Sequence, residues 1–284
     1  MIKTMTKLEK HFAPFRENII GAHEKFVSPY GQKPLIYADW TASGRLYGPI
    51  EERISHDIGV FVGNTHTETS TTGTAMTKAY HRAKNIIKNH VHAAESDVII
   101  SSNSGMTGVI NKFQRILGLK LHERFSSLVN IDEKDRPLVL VTHMEHHSNQ
   151  TSWLETIADV VVIKATEDGL VDLDNLVELV ESYPNRTKIA AVTSCSNVTG
   201  IITPYHEIAK VMHQHEGLCF VDFACSAPYI DIDMNPANPL ERLDAIYFSP
   251  HKFLGGPGSS GVLIFKAELY KNRVPDNPGG GTVN

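Results

Sequence analysis

Cysteine is scarce in this chain: Cys195, Cys219 and Cys225 are the only three in 284 residues. The count is odd, the spacing fits no metal motif, and part of the set lies in apolar runs. A disulfide framework is thereby excluded, and buried thiols in a reducing compartment are expected. Long hydrophobic runs are missing as well. Nothing approaches the roughly 20 apolar residues needed to cross a bilayer, so no membrane role is expected. The amino terminus, MIKTMTKLEKHFAPFRENII, breaks its apolar periodicity with charge and lacks the small-residue cleavage site of a secretory signal. That pattern places the protein in the cytoplasm. Neither charge sign is in large surplus: 27 Lys and Arg stand against 32 Asp and Glu, a net of −5, interspersed along the length. Without a basic stripe, nucleic acid is not an expected partner.

What is present suits a globular protein, with 41% hydrophobic and 21% charged residues. Seven short apolar runs read as strands: DVIISS, PLVLVTHM, DVVVIKA, KIAAVTS, LCFVDFA, AIYFS and GVLIF. Helical patterns separate most of them, including TAMTKAYHRAKNIIKNHVHA, SGMTGVINKFQRILGL, DLDNLVELVES and PYHEIAKVMHQHE. Such alternation predicts an α/β fold with a mostly parallel sheet covered by helices. AIYFS and GVLIF are joined by a glycine-rich loop too short for a helical crossover, so GVLIF should run antiparallel and make the sheet mixed. The Thr-rich THTETSTTGTAMT, residues 65 to 77, reads as an exposed loop leading into a helix. Residues 1–45 read as an N-terminal segment and 46–284 as one large domain. The closing NRVPDNPGGGTVN stops on a glycine-rich turn, where a whole enzyme would continue, so a truncated chain is expected.

The chemistry-bearing residues gather at strand ends. In YFSPHKFLGGPGSSGVLIF a strand delivers Ser249, His251 and Lys252 to its carboxyl end, where open α/β sheets bind ligands. A desolvated lysine there can form a Schiff base with a carbonyl cofactor, with Ser249 and His251 placed to hold an anion such as phosphate. A lone lysine after a strand is more often a surface residue. LCFVDFA ends in Asp222, a carboxylate in an apolar stretch that needs a cation or donors. A protonated pyridine nitrogen is one such partner; a helix cap or salt bridge is the ordinary alternative. Ser104, Gly105, Met106 and Thr107 open a helix after the first strand, and first-turn amides make an anion site; a plain N-cap explains them equally. His146 and His147 follow the next strand, where a neutral imidazole can stack on an aromatic cofactor or pass protons. Adjacent histidines rarely chelate one ion and no third ligand is evident, so no metal is expected. Asn197, beyond KIAAVTS, can donate to a phenolic oxygen, although Asn before a Gly is also an ordinary turn residue. Five strand ends offering distinct groups around one phosphorylated pyridine outweigh five separate ordinary explanations.

The pieces YADWTASGR, GNTHTETS, SGMTGVIN, MEHHSNQTSW, TSCSNVTG, VDFACSAPY and FSPHKFLGGPGSSGVL resemble, in order, the class V aminotransferase group of fold-type I pyridoxal phosphate enzymes. MEHHSN and FSPHKFLGGPG are most similar to the cysteine desulfurase and selenocysteine lyase branch. The resemblance implies a three-layer α-β-α large domain, here residues 46–284, that binds pyridoxal phosphate and acts on a small amino acid. It implies that Lys252 carries the cofactor and later moves the α-proton, that Asp222 pairs with the pyridine nitrogen, and that His146 stacks on the ring. Thr107, Ser249 and His251 would hold the phosphate, with Ser104, Gly105 and Met106 in the same cradle, and Asn197 would face the phenolic oxygen. A homodimer, and in desulfurases a sulfur-acceptor protein, are further implied.

Two departures stand out. Cys225 occupies the position where desulfurases usually carry Gln, and a thiol is the weaker donor to the cofactor oxygen. The family's C-terminal small domain has no counterpart here; it normally brings the arginine for the substrate carboxylate and the persulfide-forming cysteine. The expected function is α-proton abstraction and release of a side-chain group. A kynureninase-like hydrolase, an epimerase, an aminotransferase and an inert cofactor-binding scaffold stand as alternatives.

Overall fold

A computed structural model describes residues 5–102 and 104–279; the last five residues of the glycine-rich end lie outside the described residues. The chain divides into two compact units. One takes the residues up to Tyr80 together with His251–Ser259, and the other takes His81–Pro250 and the residues from Ser260 on.

The first unit opens with helix α1 (Lys7–Glu17), started by a reciprocal capping box between Thr6 and Glu9. A short antiparallel hairpin follows, β1 (Lys25–Ser28) and β2 (Gly31–Pro34), and then the short helix α2 (Gly48–Arg53). Helix α3 (Thr71–His90) starts within the Thr-rich segment. That segment is therefore exposed loop only as far as Ser70. The physical reason is a cap: the Ser70 hydroxyl accepts the Gly73 N–H at 3.1 Å, which starts the helix earlier than the β-branched composition suggests.

All seven expected strands form one sheet in the second unit. They are β3 (Val98–Ser102), β4 (Leu138–Thr142), β5 (Asp159–Ile163), β6 (Lys188–Thr193), β7 (Leu218–Asp222), β8 (Ala245–Phe248) and β9 (Gly261–Phe265), in spatial order β3-β9-β8-β7-β6-β4-β5. Strands β5, β4, β6, β7 and β8 run parallel, and β9 is antiparallel to both β8 and β3. The mixed sheet is the expected one. Its central strands are buried at every residue of β4, β6 and β8, as covered parallel strands must be.

The intervening helices are α4 (Gly105–Ile116), α5 (Glu123–Ser126), α6 (His147–Leu154), α7 (Leu173–Ser182) and α8 (Tyr205–Gln214). Helix α4 buries Val109, Ile110, Phe113 and Ile116 at helical spacing. Phe113 lies 5.0 Å from Phe220 of β7 and 4.9 Å from Phe265 of β9, ring centre to ring centre. Trp153 of α6 stacks on Phe220 from the same side of the sheet. On the other face the Cys219 thiol of β7 reaches the Tyr205 carbonyl at the start of α8. The result is the three-layer α/β architecture.

The strand order locates the ligand edge. From β4 the chain crosses outward to β5, whereas from β6 it crosses the opposite way to β7. Connections that part in this manner open a crevice at the carboxyl ends, here between β4 and β6.

Candidate functional site

The anion cradle is built where β3 feeds α4. Gly105 takes φ +61°, a left-handed conformation that suits glycine, and lets the chain turn from strand to helix. The Met106 N–H donates to the Ser249 hydroxyl at 2.9 Å, joining the start of α4 to the residue that follows β8. Ser104 and Thr107 are exposed beside it, while Gly105 and Met106 are buried. Three hydroxyls and the open first turn of a twelve-residue helix make a donor set that fits a phosphate. Ser104, Gly105, Met106, Thr107 and Ser249 are thus brought together.

At the crevice, His146 is the N-cap of α6. Its Nδ1 accepts the Ser148 N–H at 3.2 Å and lies 2.7 Å from the Ser148 hydroxyl, so the ring carries its proton on Nε2. His146 is exposed. His147 is the first residue of the helix, and among the described residues no group of three or more metal-ligating side chains occurs. Asn197 lies exposed past β6.

Asp222 ends β7 with 2% exposure, and its Oδ1 accepts the Ala224 N–H at 2.8 Å. It sits in register with Thr193 of β6 on one side and Tyr247 of β8 on the other. Burial pushes the Tyr247 hydroxyl well up, and the Asp222 charge pushes it further. A buried carboxylate of this kind suits a cationic ring nitrogen. Cys225 is half-buried three residues on, close enough to Cys195 to act on it: burial and then Cys225 push the Cys195 thiol up.

Lys252 and His251 belong to the other compact unit. They close the single 3-10 turn Pro250–Lys252, which places Lys252 three residues beyond Ser249 along the chain. The turn is clamped by the YADWTASGR segment: Gly44 N–H donates to the His251 carbonyl at 2.9 Å, and Gly255 N–H donates to the Arg45 carbonyl at 2.7 Å. Any side chain at Gly44 would collide with the Phe253 carbonyl, so the clamp needs glycine. Burial, and secondly the Lys252 charge, push the His251 imidazole down, which favours a neutral ring.

Sequence reasoning passed over Glu145, Asn149 and Tyr247, which form a polar chain at the carboxyl ends of β4 and β6, Asn149 and Tyr247 buried and Glu145 half-buried. Asn149 Oδ1 accepts from the Tyr247 hydroxyl at 2.9 Å and from Trp153 Nε1 at 3.2 Å. Its Nδ2 donates to Glu145 at 2.7 Å and to the Ala191 carbonyl at 3.1 Å. Glu145 and Asn149 both fall within the quoted MEHHSN motif, the only signal that could have drawn attention to them.

An open α/β sheet with small residues at the start of α4, a buried carboxylate and an exposed imidazole at its carboxyl edge is an arrangement that suits a phosphorylated cofactor in an α/β protein. Residues 36–284 match the family model described as Aminotransferase class-V, and the chain belongs to that family. The enzymes of this family depend on pyridoxal phosphate. A probable cysteine desulfurase of Halalkalibacterium halodurans is 30% identical over 255 residues, which take in 88% of this chain and 58% of the relative. The apo cysteine desulfurase of Thermococcus onnurineus matches with a TM-score of 0.74 at 21% identity, covering 100% of this chain and 63% of that one. The Escherichia coli cysteine desulfurase CsdA matches with a TM-score of 0.67 at 25% identity, over 94% of this chain and 61% of its own. The chain thus spans less than two thirds of the length of these relatives.

Proposed function

We propose that residues 46–284 form the cofactor-binding body of a pyridoxal phosphate enzyme that acts on a small amino acid in the manner of a cysteine desulfurase. The observation that carries this reading is Asp222, a carboxylate buried at the ligand edge of the sheet with Tyr247 and Thr193 beside it. Bound at this edge, the cofactor would supply an electron sink for a carbanion at the substrate α-carbon. Asp222 would keep the ring nitrogen protonated, and His146 would cover one face of the ring. Ser104, Gly105, Met106, Thr107, Ser249 and His251 would hold the phosphate, a neutral His251 being able to donate from one ring nitrogen. Asn197 donates to the phenolic oxygen, with Cys225 as a weaker second donor. Lys252 would be the residue that holds the cofactor's carbonyl group, and its Nζ would accept the substrate α-proton.

Purified protein supplied with pyridoxal phosphate should show the visible absorption band of a lysine-linked cofactor, and Lys252→Ala should abolish it. An unchanged band in that variant would end the assignment. The chemistry is read by feeding a panel of amino acids to the cofactor-loaded protein and measuring sulfide, alanine and keto acids. Sulfide from cysteine supports the desulfurase; keto acids or alanine without sulfide favour a transaminating or kynureninase-like relative, a reading that Cys225 in place of Gln supports. A bound cofactor with no product from any amino acid would favour the scaffold. A homodimer and a sulfur-accepting protein partner complete the proposal.

A further inference from the structure

The paired ladder between β4 and β6 stops at Leu140 and Ala190, two residues short of the end of β4. Past that point the backbone groups of the diverging strands need other partners. Two side chains supply them. Glu145 Oε1 accepts the Thr193 N–H at 2.8 Å from β6, and from β4 the Thr142 hydroxyl at 2.6 Å and the Thr142 N–H at 3.3 Å. Asn149 takes the Ala191 carbonyl and returns its second N–H to Glu145 Oε2. The carboxylate thus bridges the two strands where their ladder ends. Burial pushes the Glu145 carboxyl up, and the hydrogen bonds from Thr142, Asn149 and Thr193 oppose that rise by favouring the ionised, acceptor-only form.

The next residue is His146. We propose that Glu145 is a positioning residue for the His146 imidazole: its carboxylate fixes the turn between β4 and α6 from which the ring projects into the crevice. The proposal rests on the reading of His146 as the group that covers the cofactor ring. Glu145→Gln isolates the effect, because it keeps the volume and removes one acceptor atom. The new amide N–H₂ would face the Asn149 N–H₂, donor against donor. Asn149 cannot turn to relieve the conflict, since its oxygen already holds Tyr247 and Trp153.

Two measurements test it, one without cofactor. In the cofactor-free protein at about pH 8, where an ordinary imidazole is neutral, nitrogen NMR of the ring, assigned with His146→Ala, should show a single tautomer protonated on Nε2. In Glu145→Gln the signals should broaden or average between tautomers. An unchanged His146 spectrum would overturn the proposal. In the second measurement, the dissociation constant of pyridoxal phosphate is followed by absorption. Glu145→Gln and His146→Ala should each weaken binding by about tenfold, and the double variant should be no weaker than His146→Ala, because the two act as one unit. Effects that multiply to about a hundredfold would mean that Glu145 does not act through His146, and the proposal fails. Should Glu145→Gln not fold, Thr142→Val removes the shortest bond to the carboxylate and should shift both readouts in the same direction. A wild-type protein that takes up no pyridoxal phosphate overturns the functional reading, while the NMR arm still decides the role of Glu145.

Discussion

At the residue scale the three thiols differ sharply in environment. Cys219 is fully buried and its thiol is pushed well up by burial, then by the charge of Asp244; Cys195 is pushed up by burial and by Cys225. Cys225 alone is half-buried. The thiolate is the reacting species, so both burial and a raised pKa slow alkylation. Iodoacetamide at neutral pH should label Cys225 first, Cys195 more slowly and Cys219 only on unfolding, as read by peptide mass spectrometry. Labelling of native Cys219 ahead of Cys225 would contradict the arrangement. Pyridoxal phosphate should slow the Cys225 reaction if that thiol lies against the cofactor oxygen. Residue-level legibility follows the same local logic. Lys252, Asp222 and His146 could be singled out because each stands just past an apolar strand run. Glu145 could not, because its role consists of hydrogen bonds to a strand 48 residues away and, through Asn149, to Tyr247 98 residues from it. No spacing rule covers partners so distant in sequence.

At the element scale the alternation of apolar runs and helical patterns was enough to place all seven strands and to turn β9 antiparallel, since loop length alone decides that direction. Helix α3 starts earlier than its composition suggests, because the side-chain hydrogen bond of Ser70 outweighs the modest helix propensity of threonine. The tie between α4 and the segment after β9 was not legible at all. Asp276 accepts from Arg115 Nε at 2.9 Å, Arg115 Nη2 at 3.0 Å and Lys112 Nζ at 3.0 Å. Arg115 chiefly, and then Lys112, hold its carboxyl below the usual carboxylate range. An acid whose folded pKa is lowered contributes stability above its unfolded pKa, and that contribution fades as pH falls through the folded value. Asp276→Asn should therefore cost about 1 kcal/mol at neutral pH, the scale of a charge-assisted pair partly open to solvent. The cost should shrink toward zero in acid. Urea unfolding of both proteins at neutral and acidic pH checks it; a difference that is constant with pH would assign the tie to shape instead of charge.

At the scale of the whole molecule the two units are unequal in how they hold together. The sheet unit buries Phe113, Trp153, Phe220, Tyr247 and Phe265 completely. Among the described residues of the other unit no large apolar side chain is buried, while Phe12, Phe15, Phe26, Tyr30, Ile36 and Phe61 are exposed. Apolar surface removed from water is the main source of stability, at roughly 25 cal/mol per Å². Large apolar side chains left in water throughout a unit are a reason to expect a protein partner that covers some of them. The homodimer proposed above supplies one. Light scattering after size exclusion should then give twice the 31.5 kDa of a single chain. Charged substitutions at two of these positions, Phe15→Glu with Phe26→Glu, should return the mass to that of one chain while the sheet unit, which contains neither residue, keeps its cooperative unfolding. A wild-type mass of 31.5 kDa would remove the dimer. A dimer indifferent to the paired substitution would move its interface away from α1 and β1, onto a surface for which exposure of the first unit gives no argument.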